Sequence, residues 1–282
     1  MSMDATGSVK RRILRIEGSD ARGFLQGLVT NDVNKVDDGP VYAALLSPQG
    51  KYMFDFLLFL RDGTIHLDVA GNRAEALVLR LGMYRLRADV RIVMTDLVVE
   101  RGIEDPPASD DCFRDPRHGK LGWRCYREPA HQKSGVSSQS RLPDPDLLKA
   151  DVDWTAVRVE NGIPESGVEL IPNTTYILEA GFDRLNGIDF SKGCYVGQEV
   201  TARMRLKTTL RKGLAIVRID GRAPPGTPIL SSGRAAGTLY SQSGGKALAH
   251  LRFDRLSDDM TASGARVFAP DALKRGEPGS TT

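Results

Sequence analysis

Residues 192–199 read KGCYVGQE and form the most informative stretch of this chain. They place one thiol, Cys194, between two glycines, which allow backbone conformations that other residues resist. We interpret the stretch as a shaped loop in which the sulfur meets the polar side chains of Lys192, Gln198 and Glu199. The alternative is a cysteine buried in a turn as a small hydrophobe, which is common for an isolated cysteine. The surrounding pattern favours a functional role.

The residues that follow bear on the state of this thiol. A helix within residues 197–204 would direct its positive N-terminal end toward Cys194, and together with Lys192 it would favour the thiolate over the thiol. Such a sulfur could accept a sulfur or alkyl group, be oxidised reversibly, or transiently contact an iron–sulfur intermediate. The sequence leaves these three chemistries open.

The longer stretch KGCYVGQEVTAR resembles the signature of the YgfZ-type folate-binding proteins, relatives of the glycine-cleavage T-protein, an aminomethyltransferase. Four further segments occur in the order that this family shows. They are FLQGLVTNDV at 24–33, LSPQGKYMFDF at 46–56, DPRHGKLGWR at 115–124 and RVENGIPESGVE at 158–169. The resemblance covers most of the chain up to about Gly213. Beyond that residue it rests on the general character of the family's small C-terminal β domain.

The fold that this resemblance implies is α+β. It consists of a GcvT-like folate-binding body of two interleaved α+β subdomains and a small C-terminal β-barrel domain. We place the body at residues 1–210 and the barrel at 211–282, with a flexible loop near 128–146. The residues agree, because from Leu214 onward short strand candidates alternate with Gly, Pro and Ser.

Local patterns predict the elements of the body. Ser19 or Asp20 can cap a short helix. Alternation and turn residues predict a β meander with strands at 41–46, 51–60 and 64–70. Further predictions are an amphipathic helix at 74–87, strands at 90–99 and 122–126, and a helix at 153–160.

Asp55 is the second candidate site residue, because it interrupts a strand that is apolar on both faces. Strict alternation places Met53, Leu57 and Phe59 on its side and Tyr52, Phe54 and Phe56 on the other. A buried carboxylate is costly unless donors compensate it. One alternative is a structural Asp that accepts backbone hydrogen bonds. In the T-protein the matching carboxylate lies beside the folate nitrogens that exchange the one-carbon unit, so the resemblance implies that Asp55 contacts folate.

Other candidates carry both a functional and a structural interpretation. Arg158 of the family's Arg-x-Glu pair suits the anionic folate tail, because its planar fork donates two parallel hydrogen bonds, but it could equally form an ion pair at a helix end. Asn31 belongs to the family's TNDV segment, although Asn after a helix is an ordinary turn former. Arg203 belongs to a basic run after the cysteine motif, which could meet the folate tail or be a solvated face.

The resemblance implies that tetrahydrofolate binds non-covalently. The candidate catalytic residues are Asp55 and Cys194, and the candidate folate-binding residues are Asp55, Asn31, Arg158, Lys192, Gln198, Glu199 and Arg203. The implied function is that of an accessory protein for iron–sulfur cluster assembly or repair, which would serve iron–sulfur enzymes such as tRNA-modifying enzymes. Its partners would be reduced folate and iron–sulfur proteins or cluster-assembly factors.

Two other functions compete with this one. The first is a folate-dependent aminomethyltransferase or other one-carbon transferase, but the T-protein carries an acidic residue where this chain has Cys194. The second is a nucleic-acid-binding module. Direct nucleic-acid binding is the weakest of the three, because the basic run lacks the interleaved aromatic residues of a stacking platform.

Composition sets the remaining limits. The 282 residues carry a formal charge of +3, with 40% hydrophobic and 27% charged residues, and no apolar run approaches the length that spans a bilayer. The N-terminus lacks the apolar core of a secretory signal, so we predict a cytosolic protein. Three cysteines without a CxxC pair predict a reduced compartment and no disulfide framework. Cys112, His118 and Cys125 match no zinc pattern, and no permanently bound metal is predicted.

Overall fold

The computed structural model describes residues 10–129, 152–206 and 210–274. The elements of the body are β1 (Arg11–Glu17), α1 (Ala21–Gln26), β2 (Val41–Leu46), β3 (Tyr52–Arg61), β4 (Thr64–Ala70), α2 (Ala74–Arg85), β5 (Arg91–Met94), β6 (Val98–Gly102), β7 (Cys112–Arg114), β8 (Trp123–Arg127), α3 (Trp154–Glu160) and α4 (Gln198–Leu206). Short 3-10 helices lie at Val33–Asp37, Gly71–Arg73, Gly119–Leu121 and Phe253–Arg255. The predicted flexible loop near 128–146 lies almost wholly outside the described residues. None of the described helices is both long and apolar enough to cross a membrane.

The body is built on a five-stranded sheet with the strand order β2-β3-β4-β1-β5. The predicted meander β2-β3-β4 supplies three of its five strands. Strand β1 pairs antiparallel with both β4 and β5. It was not predicted, because arginines alternate with the buried residues Ile13, Leu14 and Ile16 and obscure the apolar pattern of a strand. One face of the sheet packs against α1 and α2, and the other against the chain that leads to the cysteine motif.

The single strand predicted at 90–99 is two strands in different sheets. Thr95 interrupts it: its backbone N–H and its hydroxyl both donate to the Ile13 carbonyl, at 2.9 and 3.1 Å. Because these bonds end the pairing of β5 with β1, the chain turns away before β6. Strand β6 then joins a three-stranded sheet with the order β6-β8-β7.

This small sheet corrects the cysteine prediction. Cys112 of β7 and Cys125 of β8 lie directly opposite each other, with Cα atoms 4.1 Å apart, and form a disulfide. The prediction that the cysteines are reduced and form no disulfide is therefore wrong for this pair. The reason is that β7 was not predicted, so nothing in the sequence placed the two thiols in one register.

The C-terminal unit is a closed barrel with the strand order β10-β11-β12-β9-β14-β13. Its strands are β9 (Lys212–Asp220), β10 (Pro228–Ser231), β11 (Arg234–Ser243), β12 (Lys246–Arg252), β13 (Thr261–Ala262) and β14 (Ala265–Phe268), and a short helix α5 (Asp271–Lys274) follows. Alternate residues of β9 point inward and join the barrel core. The body and the barrel together confirm the predicted α+β class.

The barrel meets the body along a polar seam. The Arg158 Nη2 of α3 donates to the Ser241 hydroxyl of β11 at 3.1 Å, and the Ser241 backbone N–H donates to Glu169 Oε1 at 3.2 Å. The backbone N–H of Leu214 donates to the Glu179 carbonyl at 2.6 Å. The barrel thus supplies hydrogen-bond partners for buried side chains of the body.

Candidate functional site

Lys192 anchors the cysteine loop to the segment after α1. Its Nζ donates to the backbone carbonyls of Gln26, Val29 and Asn31 at 2.9, 2.6 and 2.9 Å. Burial lowers the pKa of Lys192 to about 8, so the ammonium keeps its charge at neutral pH. Three carbonyls use all three of its N–H groups. In this geometry Lys192 braces the loop.

The loop also closes on the turn between β2 and β3. Gly197 has a φ of +80°, and a Cβ atom there would collide with the Ser47 carbonyl oxygen, so this position requires glycine. Gln198 begins α4, and its Oε1 accepts a hydrogen bond from the Tyr195 backbone N–H at 3.1 Å. The role of Gln198 in this geometry is to hold the loop before the helix.

Cys194 is exposed and its thiol is free. A Cβ built on the preceding Gly193 would meet nothing within 4 Å, so the surface beside the thiol is open. In the helix that follows, Arg203 Nη2 lies 2.9 Å from Glu199 Oε1, one turn earlier, and both side chains are exposed. The sulfur is therefore exposed to solvent on a loop that the hydrogen bonds of Lys192 and Gln198 hold in place, just before α4.

Asp55 is buried, with 4% of its surface exposed. Two tyrosine hydroxyls donate to its carboxylate: Tyr42 to Oδ2 at 3.1 Å and Tyr52 to Oδ1 at 2.7 Å. The Tyr52 hydroxyl also lies 2.7 Å from the Ser166 hydroxyl. Burial, followed by the charge of Asp55, raises the pKa of both tyrosines well above the usual value, so both stay protonated as donors. The carboxylate is held by side chains, whereas the structural alternative assumed backbone donors.

A bulge in β3 brings Tyr52 to Asp55. Leu45 pairs with Phe54 but Leu46 pairs with Tyr52, so Met53 is an extra residue in the ladder. As a result Tyr52 packs in the same cluster as Tyr42, while Met53 packs on the opposite face of the sheet. The predicted strict alternation, with Met53 beside Asp55 and Tyr52 opposite, is wrong for this reason.

Arg158 is buried and fully engaged by protein groups. Its Nη1 donates to Glu169 Oε2 at 3.2 Å and to the Ile163 carbonyl at 3.1 Å, and its Nε lies 3.4 Å from Glu165 Oε2. With the bond to Ser241 described above, the guanidinium joins α3 to the barrel. This is the ion-pair alternative, and a contact with a folate tail stays a prediction.

Asn31 supports the backbone and also lines a cavity. Its Nδ2 donates to the carbonyls of Tyr42 and Asn186 at 2.9 and 2.7 Å. The cavity has a volume of about 460 Å³, and Asn31 and Tyr42 line it together with Lys35 and Arg114. Tyr42 also donates to Asp55, so this one residue connects the cavity to the buried carboxylate.

Tyr195 connects the cysteine loop to the same region. Its ring is buried in the cluster that contains Tyr42 and Tyr52, the two residues that hold Asp55. Neither tyrosine donor was predicted as a partner of Asp55. Tyr42 lies in the apolar strand VYAALL and resembles an ordinary core residue, so the sequence offered no signal for its role.

The sequence analysis also did not predict a buried ionic network beside this region. Asp68 accepts hydrogen bonds from Arg11 Nε at 2.6 Å, Arg124 Nη1 at 3.0 Å and the Tyr126 hydroxyl at 3.0 Å. Arg124 Nε also donates to Asp115 at 2.9 Å, and Arg117 Nη2 donates to Asp115 at 2.8 Å. Arg124 therefore bridges two buried carboxylates.

Opposite charges decide the protonation of this network. Burial alone would raise the pKa of Asp115, but the charges of Arg117 and Arg124 outweigh it and hold that pKa far below the usual range. The pKa of Asp68 is likewise lowered, because Arg11 and Arg124 overcome the effect of burial. Both carboxylates are ionised at neutral pH. The only sequence signal was the density of charged residues in DPRHGKLGWR.

Comparison with known proteins gives the relationship of the chain. Residues 211–274 match the family described as CAF17, C-terminal beta-barrel domain. The chain is 30% identical to the iron-sulfur cluster assembly factor IBA57, mitochondrial, of Mus musculus, over 89% of this chain and 78% of that protein. It is 29% identical to the protein of the same name from Homo sapiens, over 91% of this chain and 80% of that one.

A solved structure shows the fold. The glycine cleavage system aminomethyltransferase T from Bartonella henselae superposes with a TM-score of 0.70, over 93% of this chain and 84% of that chain, at 16% sequence identity. The predicted GcvT-like body with a C-terminal barrel is therefore confirmed. At this identity the likeness concerns the fold alone.

These findings correct one prediction and establish the family. The predicted cytosolic location is wrong, since the relatives are named as mitochondrial proteins. The YgfZ type, which the resemblance implied, stays a prediction. Because 30% identity extends over 78% of the mouse protein, the chain belongs to the IBA57 family.

Proposed function

We propose that this chain is an accessory protein for the assembly or repair of iron–sulfur clusters. The observation that carries the proposal is its family, whose mouse and human members are named iron-sulfur cluster assembly factors. The exposed thiol of Cys194 supports it, because a thiolate is the usual protein ligand of such clusters. Partners would be iron–sulfur proteins or other assembly factors, and tRNA-modifying enzymes would be among those served.

Complementation tests this proposal. In cells from which the native gene has been deleted, expression of this chain should restore the activity of iron–sulfur enzymes, including tRNA-modifying ones. Enzymes without a cluster, assayed in the same extracts, serve as the control and should not change. If cluster enzymes stayed inactive although the chain was present in soluble form, the proposal would be wrong.

We further propose that tetrahydrofolate binds in the cavity lined by Asn31 and Tyr42, as the YgfZ-type resemblance suggests. The volume of about 460 Å³ lies within the range of small-molecule sites, roughly 300 to 1,000 Å³. Lys35 and Arg114 line the cavity as cations suited to an anionic glutamate tail. Each forms an ion pair with a carboxylate outside the cavity lining, Lys35 with Asp189 at 2.8 Å and Arg114 with Asp105 at 3.3 Å. Asp55 would act on the bound ring through Tyr42.

Titration with tetrahydrofolate tests the folate proposal. Asp55→Asn removes the charge but keeps an oxygen for the tyrosine hydroxyls, so we expect affinity to fall on the order of tenfold, which is about 1.4 kcal/mol. Asp62→Asn, on the exposed turn after β3, is the matched control and should bind like the wild type. Isothermal titration calorimetry measures both. Absence of binding by the wild type would remove the folate proposal while leaving the cluster proposal intact.

One-carbon transfer is the second candidate, and one observation favours it: a buried carboxylate between two tyrosine donors, as in a site that stabilises positive charge. Incubating the chain with tetrahydrofolate and an aminomethyl-lipoyl carrier distinguishes the two functions. Turnover of the carrier would favour the transferase over the accessory protein.

A further inference from the structure

Helix α2 is apolar on its outer side as well as on its inner side. Ala74, Leu77 and Leu81 are buried in the core cluster beneath the five-stranded sheet. On the outer side, Leu79 is 73% exposed and Met83 is 68% exposed. Exposed apolar residues are common when scattered singly, but a row of them on one helix indicates a contact surface.

The row continues past the end of the helix. Leu79 and Met83 are four residues apart and so lie on one face, and Leu86, 87% exposed, follows directly after the last turn. Gly82 stands beside Met83, and a Cβ built on it would meet nothing within 4 Å. We call Leu79, Gly82, Met83 and Leu86 the α2 stripe. It combines protruding side chains with a position where another backbone can approach closely.

Leu86 has a backbone conformation that favours a different residue. Its φ is +44° and its ψ is −106°, and the Ala88 backbone N–H donates to the Arg85 carbonyl at 2.8 Å. This is the first central position of a type II′ turn, where glycine is strongly preferred. A large exposed leucine at this position does not stabilise the turn, so its side chain is available for a contact with another molecule.

Arginines flank the stripe. Within the part of the chain that the structure describes, no carboxylate oxygen lies within 4.0 Å of the guanidinium nitrogens of Arg80, Arg85 or Arg87. Asp89, the acid that follows them in sequence, instead accepts hydrogen bonds from the backbone N–H and hydroxyl of Ser19 at 3.0 and 2.9 Å. Three arginines outside any ion pair of the described residues therefore flank the stripe, and the acids close to them in sequence are the exposed Glu75 and Asp89.

We propose that the α2 stripe docks an acidic amphipathic helix of a partner protein. Apolar side chains four and three residues apart fit the groove positions of a second helix, and the three arginines outside ion pairs select acidic side chains along its edges. A membrane surface fits less well, because interfacial binding scales with the apolar area that is inserted, and the stripe offers three apolar side chains, none of them Trp or Phe. The stripe lies across the sheet from Asp55, so the docking is independent of the proposed folate site.

A designed helical peptide tests the charge and the apolar contact together. The probe has leucines at the a and d positions of its heptads and glutamates at the e and g positions, and the matched peptide has lysines in place of the glutamates. Fluorescence anisotropy with the full chain should show binding of the glutamate peptide that weakens with salt. The lysine peptide should bind at least about tenfold more weakly.

Substitutions locate the binding surface. Leu79→Gln combined with Met83→Gln should weaken binding of the glutamate peptide on the order of tenfold, because these side chains supply the apolar contact. Arg80→Glu combined with Arg87→Glu should weaken it to a similar degree. Ile103→Gln, an equally apolar residue that is 52% exposed elsewhere on the body, is the control and should leave binding unchanged.

Leu86→Gly separates docking from folding. Glycine suits the backbone conformation at this position, so the midpoint of thermal unfolding should stay equal or rise while peptide binding weakens. Three results would overturn the proposal. The first is equal binding of the two peptides. The others are binding of the chain to vesicles that contain phosphatidylserine, or self-association of the chain, if the stripe substitutions abolish it. The last two would assign the surface to a membrane or to a second copy.

Discussion

Replacing Arg124 with methionine is expected to lower the free energy of unfolding by about 3–5 kcal/mol, since it leaves buried charge without its partner. Arg124 donates to Asp68 at 3.0 Å and to Asp115 at 2.9 Å, and all three side chains are buried. Methionine fills much of the volume but supplies no donor. Asp68 would keep Arg11 and Tyr126, and Asp115 would keep only Arg117. Urea denaturation of the two proteins measures the difference.

A control on the same strand makes this result specific. Arg127 pairs with Glu100 at 2.7 Å on the exposed side of β8, so Arg127→Met should cost less than about 1 kcal/mol. The effect of Arg124→Met should also shrink in acid. Because the pKa of Asp68 and of Asp115 is lowered in the folded protein, their stabilisation is fully present above the ordinary carboxyl pKa of about 4 and is lost progressively as the pH falls from there toward the lowered pKa. Equal effects of the two substitutions would contradict the assignment.

Cys194→Ser should remove most of the support that the chain gives to iron–sulfur enzymes, on the order of a tenfold loss of restored activity. Serine has nearly the same shape as cysteine but is a far poorer ligand for iron. The side chain is exposed and no buried contact depends on it. We therefore expect the midpoint of thermal unfolding and the affinity for tetrahydrofolate to stay at wild-type values.

Two neighbouring changes separate the thiol from its surroundings. Ser191→Ala alters an exposed residue of the same loop and should restore enzyme activity like the wild type. Replacing both Cys112 and Cys125 with serine removes the disulfide without touching Cys194, and the purified variant should retain a reactive thiol in a maleimide assay. Full restoration of iron–sulfur enzyme activity by Cys194→Ser would exclude a role for the sulfur.

Local sequence patterns predicted the elements that carry the site. Strict alternation and turn residues located β2, β3 and β4, and the loop glycines of the cysteine motif located the exposed thiol at the start of α4. These features depend on neighbours in sequence, so a single chain reveals them. The resemblance that the motif carries also implied the GcvT-like fold, which the structural comparison then confirmed.

Long-range contacts account for what the sequence did not show. The bulge at Met53 depends on the pairing of β3 with β2, and it alone decides that Tyr52 faces Asp55. The ionic network joins residues up to 58 positions apart, from Asp68 to Tyr126, so no local window contains it. Lys192 is a further example. The sequence analysis expected its ammonium beside the Cys194 thiol, whereas its N–H groups donate to backbone carbonyls more than 160 positions earlier.

The seam between body and barrel has a consequence for how the chain folds. Arg158 and Glu169 are buried charged residues of the body that form hydrogen bonds with Ser241 of the barrel. Without the barrel both groups would lose these hydrogen bonds, and the surface that the barrel covers would be exposed to water. The two units should therefore melt in a single cooperative transition, and neither should be a free-standing module that evolution could exchange without redesigning the other.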